Sequence, residues 1–180
     1  IVGEGNGRFL LDLLKGSINA EVDCVDASAA MLDLARKRVK RHLPDSIHRV
    51  EFIHSTIEDW LAPECHYDLI VTHFVLDCFP LRTLENVTAK LARAATPTAT
   101  WLLADFDYPS AGAWRLRARL WIAAMYFFFR AFAGIEANVL SDPDPYLLAH
   151  GYTRAPRPEL PHGMVTLELR TTPPQPGWRP

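Results

Sequence analysis

The sequence predicts an α/β chain built on a mostly parallel sheet, and three observations carry that expectation. Short apolar strands alternate with amphipathic helices, the runs YDLIVTHF and TATWLLADF are apolar on both faces, and a glycine-rich turn joins a first strand remnant to a first helix. Strands buried on both faces belong to sheets covered by helices on each side, joined by crossover connections. With 180 residues the chain fits a single domain, placed at 1–170, with a helical insertion at about 109–150 and a Pro-rich tail at 171–180.

Each element has a local reason. Phe9, Leu10, Leu13 and Leu14 share one helical face, and Lys15-Gly16 supplies a stop. Glu21 to Asp26 reads as a strand; Ser28 then caps a helix carried by Met31, Leu32, Ala35 and Val39. Val50 to His54 is a third strand, with a brief helical turn at Ile57 to Leu61, and Tyr67 to Phe74 is the central one. Leu81, Leu84, Val87 and Leu91 mark a helix, and Thr98 to Phe106 the next strand. Pro109 to Ile135 predicts one long or two shorter helices. Ser141 to Asp144 predicts a helix start capped by Ser or Asp, Tyr146 to His150 its body and Gly151 its stop. Tyr152 to Ala155 and Met164 to Arg170 read as a closing antiparallel hairpin, and most of the 14 prolines lie from Pro143 onward.

Composition excludes several classes of function. Nineteen Lys and Arg against 21 Asp and Glu leave a net charge of -2, so no basic field recruits nucleic acid. Three cysteines, Cys24, Cys65 and Cys78, form no C-x-x-C pair and point to a reducing compartment. The first residues, Ile1-Val2-Gly3, carry no export signal, so a cytoplasmic location is expected, with part of the first strand missing. Cys65-His66 lacks spaced partners for zinc, and no G-x-S-x-G elbow offers a nucleophile.

The glycine loop Gly3-Glu4-Gly5-Asn6-Gly7 sits between strand and helix, where an open α/β sheet binds ligands. A dinucleotide fingerprint would need glycine at position 8, where Arg8 stands, and no Gly-Lys pair supports a triphosphate loop. Asp26 ends the second strand about 20 residues on, where a carboxylate accepts from both hydroxyls of a ribose; the same residue type there also serves as a helix cap.

Taken together, V-G-E-G-N-G-R, V-D-C-V-D-A-S-x-x-M-L, the segment His54 to Asp59 and Y-D-L-I-V-T-H-F resemble the successive motifs of class I S-adenosylmethionine-dependent methyltransferases. The resemblance covers nearly the whole chain and implies a Rossmann-like, seven-stranded sheet whose first strand is truncated here. It implies that Gly3, Gly5 and Gly7 hold the methionine part of S-adenosylmethionine and Asp26 its ribose. Met31 would then pack near the adenine, Ser55, Thr56 and Ile57 meet the adenine edge, and Glu4 and Ala27 complete the set. Two departures stand out: Ile1 occupies the place of an acid two positions before the first glycine, with Glu4 inside the loop instead, and Ser55 replaces a common Asp.

The resemblance further implies methyl transfer to a small, apolar or aromatic acceptor. Such a displacement needs a base only where the acceptor must lose a proton. His73, beside the methyl-donor site, is the candidate base, with pocket lining as its other role. Asp77 and Asp105 follow neighbouring strand ends and can orient or deprotonate an acceptor, or cap the segments after them. Residues 114–132 hold Trp121, Met125, Tyr126 and four phenylalanines, more than one core-facing stripe requires. They read as an acceptor wall, with membrane-surface contact, core packing or dimerisation as the competing uses. A protein of the same fold that binds cofactor without catalysis is the alternative function, and a nicotinamide-dependent reductase a further one that Arg8 disfavours.

Overall fold

A computed structural model describes residues 1–106, 142–154 and 165–171, with only the backbone of 105–106 and 165–169. The predicted helices at Pro109 to Ile135 and the tail at 172–180 lie outside the described residues. The chain divides into two compact units, Ile1–Ala62 with Val71–His73, and Pro63–Ile70 with Phe74–Pro180.

The first unit starts from residues 1–3, which run as a strand. Val2 bridges Val25 and Thr72, both in parallel. Helix α1 (Arg8–Gly16) follows the glycine loop, strand β1 (Val22–Asp26) comes next, and helix α2 (Ala29–His42) begins after Ser28. The Ser28 hydroxyl accepts from Met31 N–H, as its cap position predicts. Strand β2 (Val50–His54) pairs in parallel with β1, from Val22↔Val50 to Asp26↔His54. Strand β3 (Tyr67–His73) contributes its last three residues to this unit. Leu10 and Leu14 of α1, Val22 and Cys24 of β1, and Leu32, Ala35 and Val39 of α2 form one buried cluster. Each such aliphatic side chain contributes about 1.5–3 kcal/mol on leaving water, which is what holds short helices that would not persist alone.

In the second unit, helix α3 (Leu81–Ala94) buries Leu84, Val87 and Leu91 at the predicted spacing, and strand β4 (Ala95–Phe106) starts three residues earlier than expected. Helix α4 (Asp144–Ala149) precedes strands β5 (Thr153–Arg154) and β6 (Val165–Thr171). The four-stranded sheet runs β3-β4-β6-β5, and β6 pairs antiparallel with both β4 and β5. Trp101 is fully buried edge-on against Tyr152, with ring centroids 5.3 Å apart. Arg170 is 1% exposed and is ion-paired with Asp144, whose other oxygen takes Arg154. That pairing is what allows a guanidinium into the interior.

Two local readings need correction, and a third holds. The cap position of α4 is Pro143, which offers no side-chain bond; the Asp142 carboxylate instead accepts Asp144 N–H at 2.9 Å. The expected brief helical turn at Ile57 to Leu61 is present, closed by Trp60 N–H on Thr56 O. The central strand ends at His73 because Phe74 turns into the left-handed region at φ 55, a conformation costing an aromatic residue about 1–3 kcal/mol.

Arg49 is a junction that periodicity does not announce. Its Nη1 donates to Ser17 O and Ala20 O at 2.8 and 3.2 Å, and its Nη2 to Leu14 O and Ser46 Oγ at 3.2 and 2.8 Å. The guanidinium thereby satisfies carbonyls left open where α1 ends. Replacing Arg49 by Met should lower stability by about 2–3 kcal/mol in urea unfolding, since several charge-assisted bonds go and the carbonyls stay part-buried.

Candidate functional site

The ladder of the first unit sets the site. Val2 lies level with Val25 and Thr72, so Gly3, Asp26 and His73 each stand one residue further along at the carboxyl edge. Register places His54 opposite Asp26 on the far side. The chain passes from residues 1–3 outward to β1 and β2 and then back to β3 on the other flank. The glycine loop therefore occupies the point where strand order reverses, the place an open α/β sheet leaves a crevice.

Gly3, Gly5 and Gly7 have φ of 68°, 67° and 80°, all left-handed, so a side chain at any of them is strained. They differ in surroundings. A Cβ on Gly7 would meet the Ala35 Cα at 2.7 Å, so this glycine lets α1 approach α2. A Cβ on Gly5 would meet nothing within 4 Å, so this backbone faces open space. Arg38 Nε donates to Asn6 O at 2.8 Å and ties the loop to α2, a bond no sequence signal announces.

Asp26 uses one oxygen for Gly5 N–H at 3.3 Å and the other for Ser28 N–H at 2.8 Å. The bond to Ser28 N–H lies at the start of α2, where a cap was one expected role; the bond to Gly5 N–H anchors the loop, which the sequence does not announce. A carboxylate has about four acceptor positions, and two are taken, leaving one on each oxygen for a diol. Ala27 O accepts from His54 Nε2 at 3.1 Å, which assigns the ring proton to that nitrogen. Met31 is 39% exposed one turn into α2, an apolar surface close in sequence to Asp26.

At the end of β2, Ser55 N–H donates to Asp26 O at 3.2 Å and its hydroxyl to Thr56 O at 2.9 Å. Thr56 Oγ1 donates to Asp59 Oδ2 at 2.9 Å and accepts Asp59 N–H at 3.1 Å, while Ile57 is buried. Their side chains are thus engaged within the turn, which fixes its backbone beside Asp26.

Glu4 does what the missing side-chain cap at Gly7 would do. Its Oε1 accepts Leu10 N–H at 3.0 Å, while Oε2 is buried without a hydrogen-bond partner. Burial raises its pKa above the usual carboxylate range, despite that bond. The ring of His73 packs edge-on against Phe9, with centroids 4.6 Å apart, and its Nε2 is likewise buried and unpartnered. Burial lowers the His73 pKa and holds the imidazole neutral at pH 7. Cys24 is inert, its thiol pushed up to about 12 by burial.

Of the acceptor-side acids, Asp77 is 2% exposed in the 3-10 turn Leu76–Cys78, with Cys78 Sγ 3.6 Å from its Oδ1. Only the backbone of Asp105 is described, paired with Thr166 in the ladder. Residues 114–132 lie outside the described residues. Among the described residues no cluster of three His, Cys, Asp or Glu is placed to hold a metal, and no helix is long and apolar enough to cross a membrane.

The family is shown by comparison. A family model for the methyltransferase domain matches residues 1–98, more than half of the chain. The chain belongs to that family, the S-adenosylmethionine-dependent class I methyltransferases that its motif order resembles. S-adenosylmethionine is the family's cofactor.

The fold agrees with solved methyltransferase structures. An O-methyltransferase family protein from Burkholderia thailandensis aligns with a TM-score of 0.70 at 19% identity, over 95% of this chain and 49% of its own. The mitomycin 7-O-methyltransferase MmcR aligns at 0.69 and 14% identity, over 96% and 48%. A methyltransferase from Aquifex aeolicus described as SAM-dependent aligns at 0.62 and 17%, over 94% and 79%. The chain thus spans about half the length of the first two. No curated protein sequence matches it.

Two outcomes follow from this geometry. Ala at position 7 should destabilise the protein more than Ala at position 5, because both pay about 1–2 kcal/mol for left-handed backbone and only the former collides with α2; thermal unfolding of the pair measures the difference. For Glu4, the raised folded pKa means the folded state binds more protons than the unfolded one above pH 4.5. Wild-type stability relative to Glu4→Gln should therefore rise as pH falls from 8 toward 5 and be lost as pH rises. Parallel melting curves that keep a constant gap across that range would remove the buried-carboxylate account.

Proposed function

We propose that this protein transfers a methyl group from S-adenosylmethionine to a small, apolar or aromatic acceptor in the cytoplasm. The observation that carries the reading is the row of Gly3, Asp26 and His73 at one sheet edge, with Gly5 facing open space between loop and carboxylate. A seven-stranded sheet and a closing hairpin of β5 and β6 belong to the same reading.

The described residues fit the cofactor. Asp26 holds the ribose hydroxyls through its two remaining acceptor positions, Gly3 and Gly5 let the backbone approach the methionine part, and Gly7 keeps the helix behind them in place. Met31 packs against the adenine, and Ala27 with the Ser55–Thr56–Ile57 turn lines its edge. Glu4 supplies negative charge within the loop. S-adenosylmethionine, when bound, supplies a methyl group activated by a positively charged sulfur.

The rest is positioning and proton handling. His73 is neutral, with Nε2 unpartnered, so that atom can take a proton from an acceptor hydroxyl. Asp77 and Asp105 orient the acceptor, and the apolar, aromatic composition of residues 114–132 supports a small apolar acceptor over nucleic acid or a membrane surface. Two of the structurally similar proteins are named for O-methyl transfer, which supports an oxygen acceptor.

Calorimetry with S-adenosylhomocysteine tests the assignment, with NADH as the control. Wild-type protein should bind the former alone, and Asp26→Ala should weaken it by about 1–3 kcal/mol, or roughly tenfold to a hundredfold, through lost charge-assisted bonds. Equal affinity in the two proteins would remove Asp26 from the ribose; binding of neither ligand to wild type would remove the methyltransferase reading.

A further inference from the structure

We propose that Arg38 is a positioning residue for cofactor binding, whose guanidinium holds the peptide between Asn6 and Gly7 in the orientation in which the glycine loop receives S-adenosylmethionine. The inference rests on the methyltransferase reading and deepens it at the same site. Arg38 stands 32 residues beyond Asn6 in the chain, yet its Nε donates to Asn6 O at 2.8 Å in a part-buried bond.

Two side chains grip the loop, and both come from one continuous stretch of the first unit. Gly5 N–H donates to the Asp26 carboxylate at 3.3 Å, and Asn6 O accepts from Arg38. Asp26 ends β1, its other oxygen takes Ser28 N–H, and α2 runs on from that cap to Arg38. On α2, Ala35 and Arg38 are three residues apart and share a face. A Cβ on Gly7 would collide with Ala35, so the first contact sets how closely the loop passes the helix, while Arg38 sets which way the peptide beside it turns.

Orientation matters because a trans peptide points its C=O and its N–H in opposite directions. With Asn6 O turned to Arg38, the Gly7 N–H is turned away from it. Gly5, between the two grips, is left-handed, and a Cβ there would meet no atom within 4 Å, so packing does not restrain this backbone and the hydrogen bonds do. A loop already held in one arrangement spares a ligand the entropy of ordering it. The same bond contributes little to the fold, because water takes the place of one bond from a half-exposed side chain. The cluster of Leu10, Leu14, Leu32 and Val39 holds α1 on α2 without it.

The test is calorimetry with S-adenosylhomocysteine on the intact chain, comparing wild type, Arg38→Met and Arg38→Lys, with thermal unfolding of the same samples in the absence of ligand. Arg38→Met keeps the apolar stem and should bind about fivefold or more weakly, since the ligand must now order the loop. It should melt within about 4 °C of wild type. Arg38→Lys keeps a donor, and a single bond to a carbonyl does not need the guanidinium fork, so its affinity should stay within about threefold of wild type. A bond that served the fold alone would lower the melting temperature and leave the affinity of the folded protein unchanged. Wild-type affinity in Arg38→Met, a loss in Arg38→Lys as large as in Arg38→Met, or a melting temperature lowered beyond that margin in Arg38→Met would each overturn the proposal. The wild-type arm keeps the two readings apart: no binding there removes the methyltransferase reading and this inference with it, whereas binding that Arg38→Met leaves unaltered removes Arg38 alone.

Discussion

The two-sided pairing of residues 1–3 is the constraint on which the site depends. Val2 N–H donates to Val71 O, Gly3 N–H to Val25 O, and Val25 N–H to Ile1 O, each at 2.9 Å. A strand held from both flanks cannot shift along either neighbour, so the level at which it ends is fixed. Gly3, Asp26 and His73 are level for that reason. The chain leaving such a strand must then climb out of the sheet within four residues to start α1, and three left-handed glycines make that climb possible.

The loop spends its glycines on different ends. Gly7 is required by packing against Ala35, an interior need, while a Cβ on Gly5 would meet no atom within 4 Å and only its left-handed backbone calls for glycine. Asp26 joins the two demands, since one oxygen holds Gly5 N–H and the other Ser28 N–H. The carboxylate is therefore oriented by the fold itself, held from the loop and from the start of α2.

What was legible in the sequence was local. The spacing of Leu10 and Leu14, the cap at Ser28, the strand bounds at Val50 and His54 and the glycine loop each depend on a few neighbouring residues, and periodicity or cap chemistry reads them directly. Asp26 was legible because its distance from the glycines reflects one helix and one strand. The tasks of Glu4, Arg38 and Arg49 were not, because they rest on bonds to carbonyls or N–H groups whose positions only the folded chain defines. Nor was the bend at Phe74, since an aromatic after an apolar run signals continued strand and says nothing of an enforced positive φ. At α4 the sequence shows the residue type but not the position: Asp142 bonds Asp144 N–H, while Pro143 takes the cap position itself.

The unfavourable elements of the first unit gather at one edge. Three left-handed glycines, a buried carboxylate oxygen on Glu4 and a buried imidazole nitrogen on His73, both unpartnered, all lie at or beside the carboxyl ends of its strands. The favourable ones, the cluster of Leu10, Leu14, Leu32 and Val39 and the Arg49 junction, lie behind them. A core that supports a costly rim is the division of labour expected where binding needs exposed backbone and poised polar atoms. The neutral state of His73 belongs to the same economy: burial first, and then the positive charge of the Ile1 amine, disfavour its charged form.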